Sequence, residues 1–372
     1  MAKVFIEEST LTNIGNAIRN KTGKSELLSP ASMATEIGAI QTGGGEIGEI
    51  VLTENCQYAC SNTAWNRFHP YVKTQDIYDL NHFFYENDKI ENVPFEINLK
   101  ADNRYGTPAN YFCAYAYNLK TCPKINNYLL AGTGFMFNSC YRLNDDLDAK
   151  LNPVGMGKYT SQDAHNMFNY CHSLRKAPMK FLNTILKNWK GTGTWNNPYN
   201  KLFNYCYALD EVVGLYPHAG TWGSNLFQNT LNYCNRLKDF TFEMDENGQP
   251  YVRNWSNQTI DLTMRVGIST LSDSCGYNSG ITEDKLVNSL ETYEALKNDP
   301  DWWADNYAWC RYNRNSAVNT INSLPDVSQG SGNTIKFYKT AGNQIPGGNM
   351  NDLTEEQIAV ATAKGWTVTL TI

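Results

Sequence analysis

Phe168-Asn169-Tyr170-Cys171-His172-Ser173-Leu174 decides the fold, because its frame returns along the chain. Phe137-Asn138-Ser139-Cys140-Tyr141-Arg142-Leu143, Phe203-Asn204-Tyr205-Cys206-Tyr207-Ala208-Leu209 and Leu231-Asn232-Tyr233-Cys234-Asn235-Arg236-Leu237 share the frame: an apolar residue, two residues, Cys, two residues, Leu. Two degenerate copies come earlier, Phe84 with Asn87 and Ile90, then Cys113 with Ala116 and Leu119. The Cys position therefore falls at 87, 116, 140, 171, 206 and 234, with intervals of 29, 24, 31, 35 and 28 residues. Intervals of that size mark a repeat architecture with irregular loops. No single unit can bury its inner face, so neighbours must stack into one continuous core.

The frame predicts an α/β repeat. Phe and Cys are expected on the inner face of one helical turn, followed by a bend and a short strand that ends at proline. The strand segments are Ile90-x2-Val93-Pro94, Leu119-x2-Cys122-Pro123 and Leu174-x2-Ala177-Pro178, with Leu209-x2-Val212 as a copy without proline. The expected repeat core is Phe137, Cys140, Leu143, Phe168, Cys171, Leu174, Phe203, Cys206, Leu209, Cys234 and Leu237. Asn138, Asn169, Asn204 and Asn232 share one position, which predicts a ladder of side-chain amides that satisfies backbone groups at the turn. Long aromatic insertions such as 188–199, with Trp189 and Trp195, interrupt strict regularity.

Composition narrows the function classes. The chain of 372 residues has a net charge of -6, and its Lys and Arg are scattered, so it offers no basic stripe for nucleic acid. No run of about eighteen apolar residues predicts a membrane span, and MAKVFIEEST lacks the apolar core of a signal peptide. The expectation is a soluble protein made in a cytoplasm. The ten cysteines sit mostly in repeated apolar contexts, which favours reduced, buried thiols over a disulfide framework. Cys56 and Cys60, spaced Cys-x3-Cys, leave pairing open.

Two short amphipathic helices are expected in residues 1–40. The first follows Ser9 or Thr10 and carries Leu11, Ile14 and Ile18; the second starts at Ser29-Pro30 and carries Met33, Ile37 and Ile40. Such helices need a partner surface, either the protein's own body or another molecule. VFIEESTLTNIGNAIRNKTGKSELLSPASMATEIGAI resembles the opening segment of many structural proteins of phages of Gram-positive and gut bacteria. That resemblance implies a docking role, with Phe5, Ile6, Leu11, Ile14, Ile18, Met33, Ile37 and Ile40 as attachment residues. A glycine-rich linker at 41–48, a cap at 49–79, the repeats at 80–275 and a C-terminal α/β part at 276–372 complete the expected organisation.

The repeat frame resembles the cysteine-bearing leucine-rich repeats of bacterial surface proteins, the BspA-like type, which also occur in phage tail proteins. The ending LTEEQIAVATAKGWTVTL resembles the terminal unit of phage-encoded leucine-rich-repeat proteins. Within the C-terminal part, Thr282-Glu283 can start a helix bearing Leu286, Leu290, Tyr293 and Leu296, and 317–324 is a second helix leading to a strand at 334–338. Leu353-Thr354-Glu355-Glu356-Gln357 reads as a cap and the start of a helix through Ala363, Gly365 as its C-cap, and 366–372 as a closing strand.

Chemistry finds little footing. Cys171-His172 are chain neighbours that point apart. Asp145, Asp146 and Asp148 lack the glycine and the distal Glu of a calcium loop. Gly132-x-Gly134 lacks the third glycine of a dinucleotide turn. The five histidines, His69, His82, His165, His172 and His218, form no metal-ligand spacing. Neither metal nor cofactor is expected, and the chain reads as non-enzymatic. With 23 Tyr and 9 Trp, surface recognition is the remaining class, in which aromatic rings stack on sugar faces. The candidate receptor-binding aromatics are Trp189, Trp195, Trp222, Trp255, Trp302, Trp303 and Trp309.

The resemblances together imply a bacteriophage virion protein, a tail or head fibre or a decoration protein. In that reading a leucine-rich-repeat solenoid binds host-surface glycan or protein while the N-terminus joins other virion proteins. The alternative is a capsid- or baseplate-associated scaffold that touches only virion proteins. An enzyme that cuts host polysaccharide is the least supported. A homo-oligomer is expected, and such fibres are commonly trimeric, although no sustained heptads drive trimerisation here.

Overall fold

The computed structural model describes residues 50–61, 72–126, 129–151, 155–156, 164–188, 197–220, 226–227, 229–234, 237–262, 314–338 and 353–371. The chain divides into Met1–Ile50 and Val51–Ile372, and all described residues except Ile50 belong to the second unit. The attachment residues expected in 1–40 and the helix expected from Thr282 lie outside the described residues.

The described residues are mixed α/β, with short strands, and in the sheets that follow β1 and β2 the strands pair in parallel. β1 (Ile50–Asn55) pairs with β2 (Val72–Asp79). β3 (Ile97–Asn98) pairs with β5 (Ile125–Asn126), while β4 (Thr107–Pro108), β6 (Leu129–Gly132) and β7 (Gly155–Met156) form a second parallel set. β8 (Glu211–Leu215) pairs with β9 (Asp239–Phe242), and β10 (Thr259–Leu262), β11 (Asn333–Tyr338) and β12 (Trp366–Thr371) form a three-stranded parallel sheet. Parallel neighbours cannot be joined by a tight hairpin, and each pairing here brings together segments well separated along the chain.

Between the strands, the repeat frame folds as a chain of tight turns. Cys171 N–H donates to the Phe168 carbonyl and Leu174 N–H to the Cys171 carbonyl, and the 203–209 and 137–143 copies do the same. Each three-residue step thus closes one turn, which brings Phe, Cys and Leu to the inside in succession. This corrects the expected helical turn: successive turns and a helix both place apolar residues three apart, and the sequence pattern alone does not separate them. The expected strand gives way at the proline copy 174–178, because Pro178 leads into helix α2 below and 176 contributes only an isolated parallel bridge to Glu211, whereas the Leu209-x2-Val212 copy enters strand β8.

Alternate amides leave the turn. Phe168 and Tyr170 donate to the carbonyls of Leu202 and Asn204 in the next coil, while Phe203 and Tyr205 donate to Thr230 and Asn232. The same register links Phe84 to Phe112 and Phe137 to Met167. The coils from 80 to 205 are therefore each bonded to the next through the backbone, which satisfies groups that burial would otherwise leave costly.

The side chains inside continue this register. All eleven residues expected in the repeat core are buried, and the Phe137, Phe168 and Phe203 rings stack at centroid separations of 5.6 and 5.7 Å. The cysteines do more than fill space. Cys140 Sγ donates to the Cys113 carbonyl at 3.0 Å, Cys171 Sγ to Phe137 at 3.1 Å, Cys206 Sγ to Phe168 at 3.0 Å and Cys234 Sγ to Phe203 at 3.1 Å. In the first copy Asn87 Nδ2 makes the equivalent bond to the Cys60 carbonyl at 2.8 Å. The eight described cysteines, Cys56 and Cys60 included, are free and buried.

The asparagines form a ladder of a different kind from the one expected. Asn169 Nδ2 donates to Asn138 Oδ1 and Asn204 Nδ2 to Asn169 Oδ1, both at 2.8 Å, so the amides bond one another instead of the backbone. Asn232 leaves the ladder: it is exposed and bonds Asn229.

Four helices are present among the described residues. α1 (Leu147–Lys150) is capped by Asp146. α2 (Met179–Asn188) buries Phe181, Leu182, Ile185 and Leu186, and its first amides, Lys180 and Phe181, donate to the carboxylate of Asp148. α3 (Arg314–Ser323) and α4 (Glu355–Ala363) lie where helices were expected, and Thr354 with Gln357 forms a reciprocal capping box on α4. Gly365 ends α4 at φ +85, where a Cβ would come within 2.8 Å of Ser328 backbone, so glycine is required there. Trp366 is buried and donates from Nε1 to the Pro325 carbonyl at 2.8 Å.

Burial pushes the Cys56 thiol up from 9.0 to about 11, with the Asp79 carboxylate adding to it, and Cys60 to about 12, with Cys56 adding. Burial also raises Cys113, Cys122, Cys140 and Cys206 well above the ordinary thiol range. The unfolded chain releases these protons near pH 9 while the folded chain keeps them. Stability is then intact below about pH 9 and falls as the pH rises towards 11 or 12. The urea midpoint is expected to drop between about pH 8 and 10.5, less steeply in Cys206→Ala, and equal slopes in the two proteins would contradict this account.

Candidate functional site

The left-handed corners of the turns build the most distinctive surface. A turn whose third residue has positive φ normally selects Gly or Asn there. Here φ is positive at Tyr111, Tyr115, Tyr170, Tyr205 and Tyr233, at 56, 63, 62, 60 and 60°. Tyr58, His82 and Phe135 occupy the same conformation. Each bulky residue held there costs roughly 1–2 kcal/mol relative to a right-handed conformation.

Stacking offsets part of that cost. Tyr170, Tyr205 and Tyr233 form one column, with ring centroids 4.5 and 4.4 Å apart and nearly parallel planes. Tyr58, His82, Tyr111 and Phe135 form another, at 4.7, 4.9 and 4.6 Å. A third follows the Cys position through Tyr117, Tyr141, His172 and Tyr207. Each aromatic pair contributes about 0.5–1.5 kcal/mol beyond area burial. Tyr58 and Tyr117 remain 49% and 39% exposed, and Tyr170, Tyr205 and Tyr233 are half-buried, so each column reaches solvent.

Column geometry decides what a ligand could meet. Inner ring faces are covered by their neighbours, so sugars cannot stack on them as the composition suggested; hydroxyls and ring edges remain. Burial, followed by Tyr170 and Tyr233, raises the Tyr205 phenol, and burial likewise raises Tyr117 and Tyr141. The phenols therefore stay protonated, available as donors as well as acceptors, at neutral pH.

The sequence carried this signal in plain view, since Tyr immediately precedes Cys in three strong copies. Propensity places Gly or Asn at a left-handed corner, and nothing local announces that tyrosine will hold it. Trp255, by contrast, is not a receptor-facing aromatic: it is 1% exposed, donates from Nε1 to the His218 carbonyl and packs edgewise on Phe227, Phe242 and Trp366. Trp189, Trp195, Trp222, Trp302, Trp303 and Trp309 lie outside the described residues.

The candidate reactive groups have structural partners. Cys171 points into the core, and His172 stands in the third aromatic column between Tyr141 and Tyr207, so the two form no nucleophile and base pair. Asp145 accepts from the Cys122 amide and pairs with Lys150 at 2.7 Å, Asp146 caps α1, and Asp148 caps α2. Among the described residues no cluster of three His, Cys, Asp or Glu side chains could hold a metal ion, and no helix is long and apolar enough to cross a membrane. No family model, curated protein or solved structure matches this chain.

Replacing Tyr205 separates strain from stacking. Tyr205→Gly and Tyr205→Ala both lose two stacked neighbours, but only glycine also relieves the left-handed corner. The glycine variant is expected to be more stable than the alanine variant by about 1 kcal/mol, measured by urea denaturation. The reverse order would mean that the corner is not left-handed in solution.

Proposed function

We propose that this chain is a non-enzymatic bacteriophage virion protein, a fibre or decoration protein whose stacked coils are a leucine-rich-repeat solenoid that adheres to the host surface. Residues 1–40 are its attachment segment to other virion proteins, and host glycan or protein is its outward partner. The observation that carries the adhesive part is the set of tyrosine columns at strained corners. Gly or Asn would make the same turns at less cost, and strain kept at repeated positions points to a use. The phage-like N-terminal segment, repeat frame and ending support the virion setting.

The test uses the full chain and its particles. Labelled protein is expected to decorate particles made without it and also to bind host cells. Tyr170→Phe/Tyr205→Phe/Tyr233→Phe, which keeps every ring and removes three hydroxyls, is expected to reduce cell binding roughly tenfold and leave decoration unchanged. Decoration without any cell binding would replace the adhesin by the scaffold, and turnover of host glycan by the protein would replace it by an enzyme.

A further inference from the structure

Outside the tyrosine columns, three stretches of the chain bring a cation-rich aromatic cluster together. Arg253, next to the bridge residue Val252, holds its guanidinium carbon 4.5 Å from the Tyr251 ring centroid and 5.5 Å from that of Tyr216. Lys187, at the end of α2, places Nζ 5.5 Å from the Tyr216 centroid, and the two rings meet edge to face at 5.4 Å.

The cluster is held rigidly from beneath. Asn183 accepts from the Tyr216 amide at 2.9 Å and donates to the Gly214 carbonyl at 2.7 Å. Arg253 Nε donates to the Pro217 carbonyl and Nη1 to the Val252 carbonyl, which fixes the plane of the guanidinium and leaves Nη2 without a protein acceptor among the described residues. Such preorganisation lowers the ordering cost of binding.

Charge is unbalanced at this point. Glu243 pairs with Lys187 at 2.6 Å, and Asp245 is engaged with the Asn247 and Gln249 amides of its own turn. Arg253 has no carboxylate partner among the described residues, in a chain whose net charge is -6. A planar guanidinium with a free edge, set between tyrosines, suits an oxyanion carried on a ring.

We propose that Arg253, Tyr251, Tyr216 and Lys187 form a subsite for the anionic group, carboxylate or phosphate, of a surface glycan. This rests on the adhesive reading and names the chemistry it selects: Arg253 engages the oxyanion, Lys187 adds long-range attraction, and the tyrosines flank the sugar.

The test measures the full-length protein on three immobilised polymers, polygalacturonate, poly(glycerol phosphate) and neutral dextran. Binding is expected to one or both anionic polymers in preference to dextran and to weaken with added salt; which of the two binds better identifies carboxylate or phosphate as the group read. Arg253→Gln is expected to weaken anionic binding about tenfold. Glu243→Gln removes the one carboxylate of the cluster and is expected to strengthen it about threefold, a gain that a misfolded variant would not give. Equal binding to all three polymers, binding to dextran alone, no binding to any, or indifference to both substitutions would overturn the subsite. Tyrosine-dependent binding to host cells would stand in any of those cases, which keeps failure of the subsite distinct from failure of the adhesin.

Discussion

The amides of Phe168 and Tyr170 donate out of their own coil to Leu202 and Asn204, and the rest of the structure depends on that choice. A turn can bond only some of its backbone groups internally. Sending the alternate amides to the next coil makes each coil the hydrogen-bonding partner of its neighbour, so a coil that buries its polar backbone needs that neighbour in place. Phenylalanine stacking and the Asn138–Asn169–Asn204 amide ladder follow the same register, because side chains at equivalent positions in bonded coils must meet.

The thiol ladder answers a question that hydrophobicity alone leaves open, namely why the position is cysteine. The Phe-position carbonyl accepts the amide of its own coil's Cys and also the thiol of the following coil's Cys. Alanine would fill the space but donate nothing. Cysteine combines a small apolar body with a weak donor, so it serves the carbonyl at little desolvation cost. Asn87 performs the same task with an amide, which explains why an asparagine can stand in the frame.

Repeat positions were legible because equivalent residues recur, and the C-terminal helices and strands because caps and periodicity are local. Thr354, Gln357 and Gly365 each mark a boundary within a few residues of the chain they terminate. What escaped reading depends on distant partners. The Phe-x2-Cys-x2-Leu spacing suggests a helix until the bonds between coils are known, and α2 receives its N-terminal acceptor from Asp148, thirty-two residues from Lys180. Trp255 looked like a surface aromatic because nothing near it in sequence shows Phe227, Phe242 and Trp366 closing round it. The Arg253 cluster likewise assembles from three separated segments, around Lys187, Tyr216 and Tyr251–Arg253.

Amide hydrogen exchange on the full chain tests the stacking of coils most directly. The amides of Phe84, Phe137, Phe168, Tyr170, Phe203 and Tyr205 donate between coils, so they are expected to exchange far more slowly than an unstructured chain and to be protected as a group. Protection confined to α2, α3 and α4, with those six amides exchanging freely, would contradict the account.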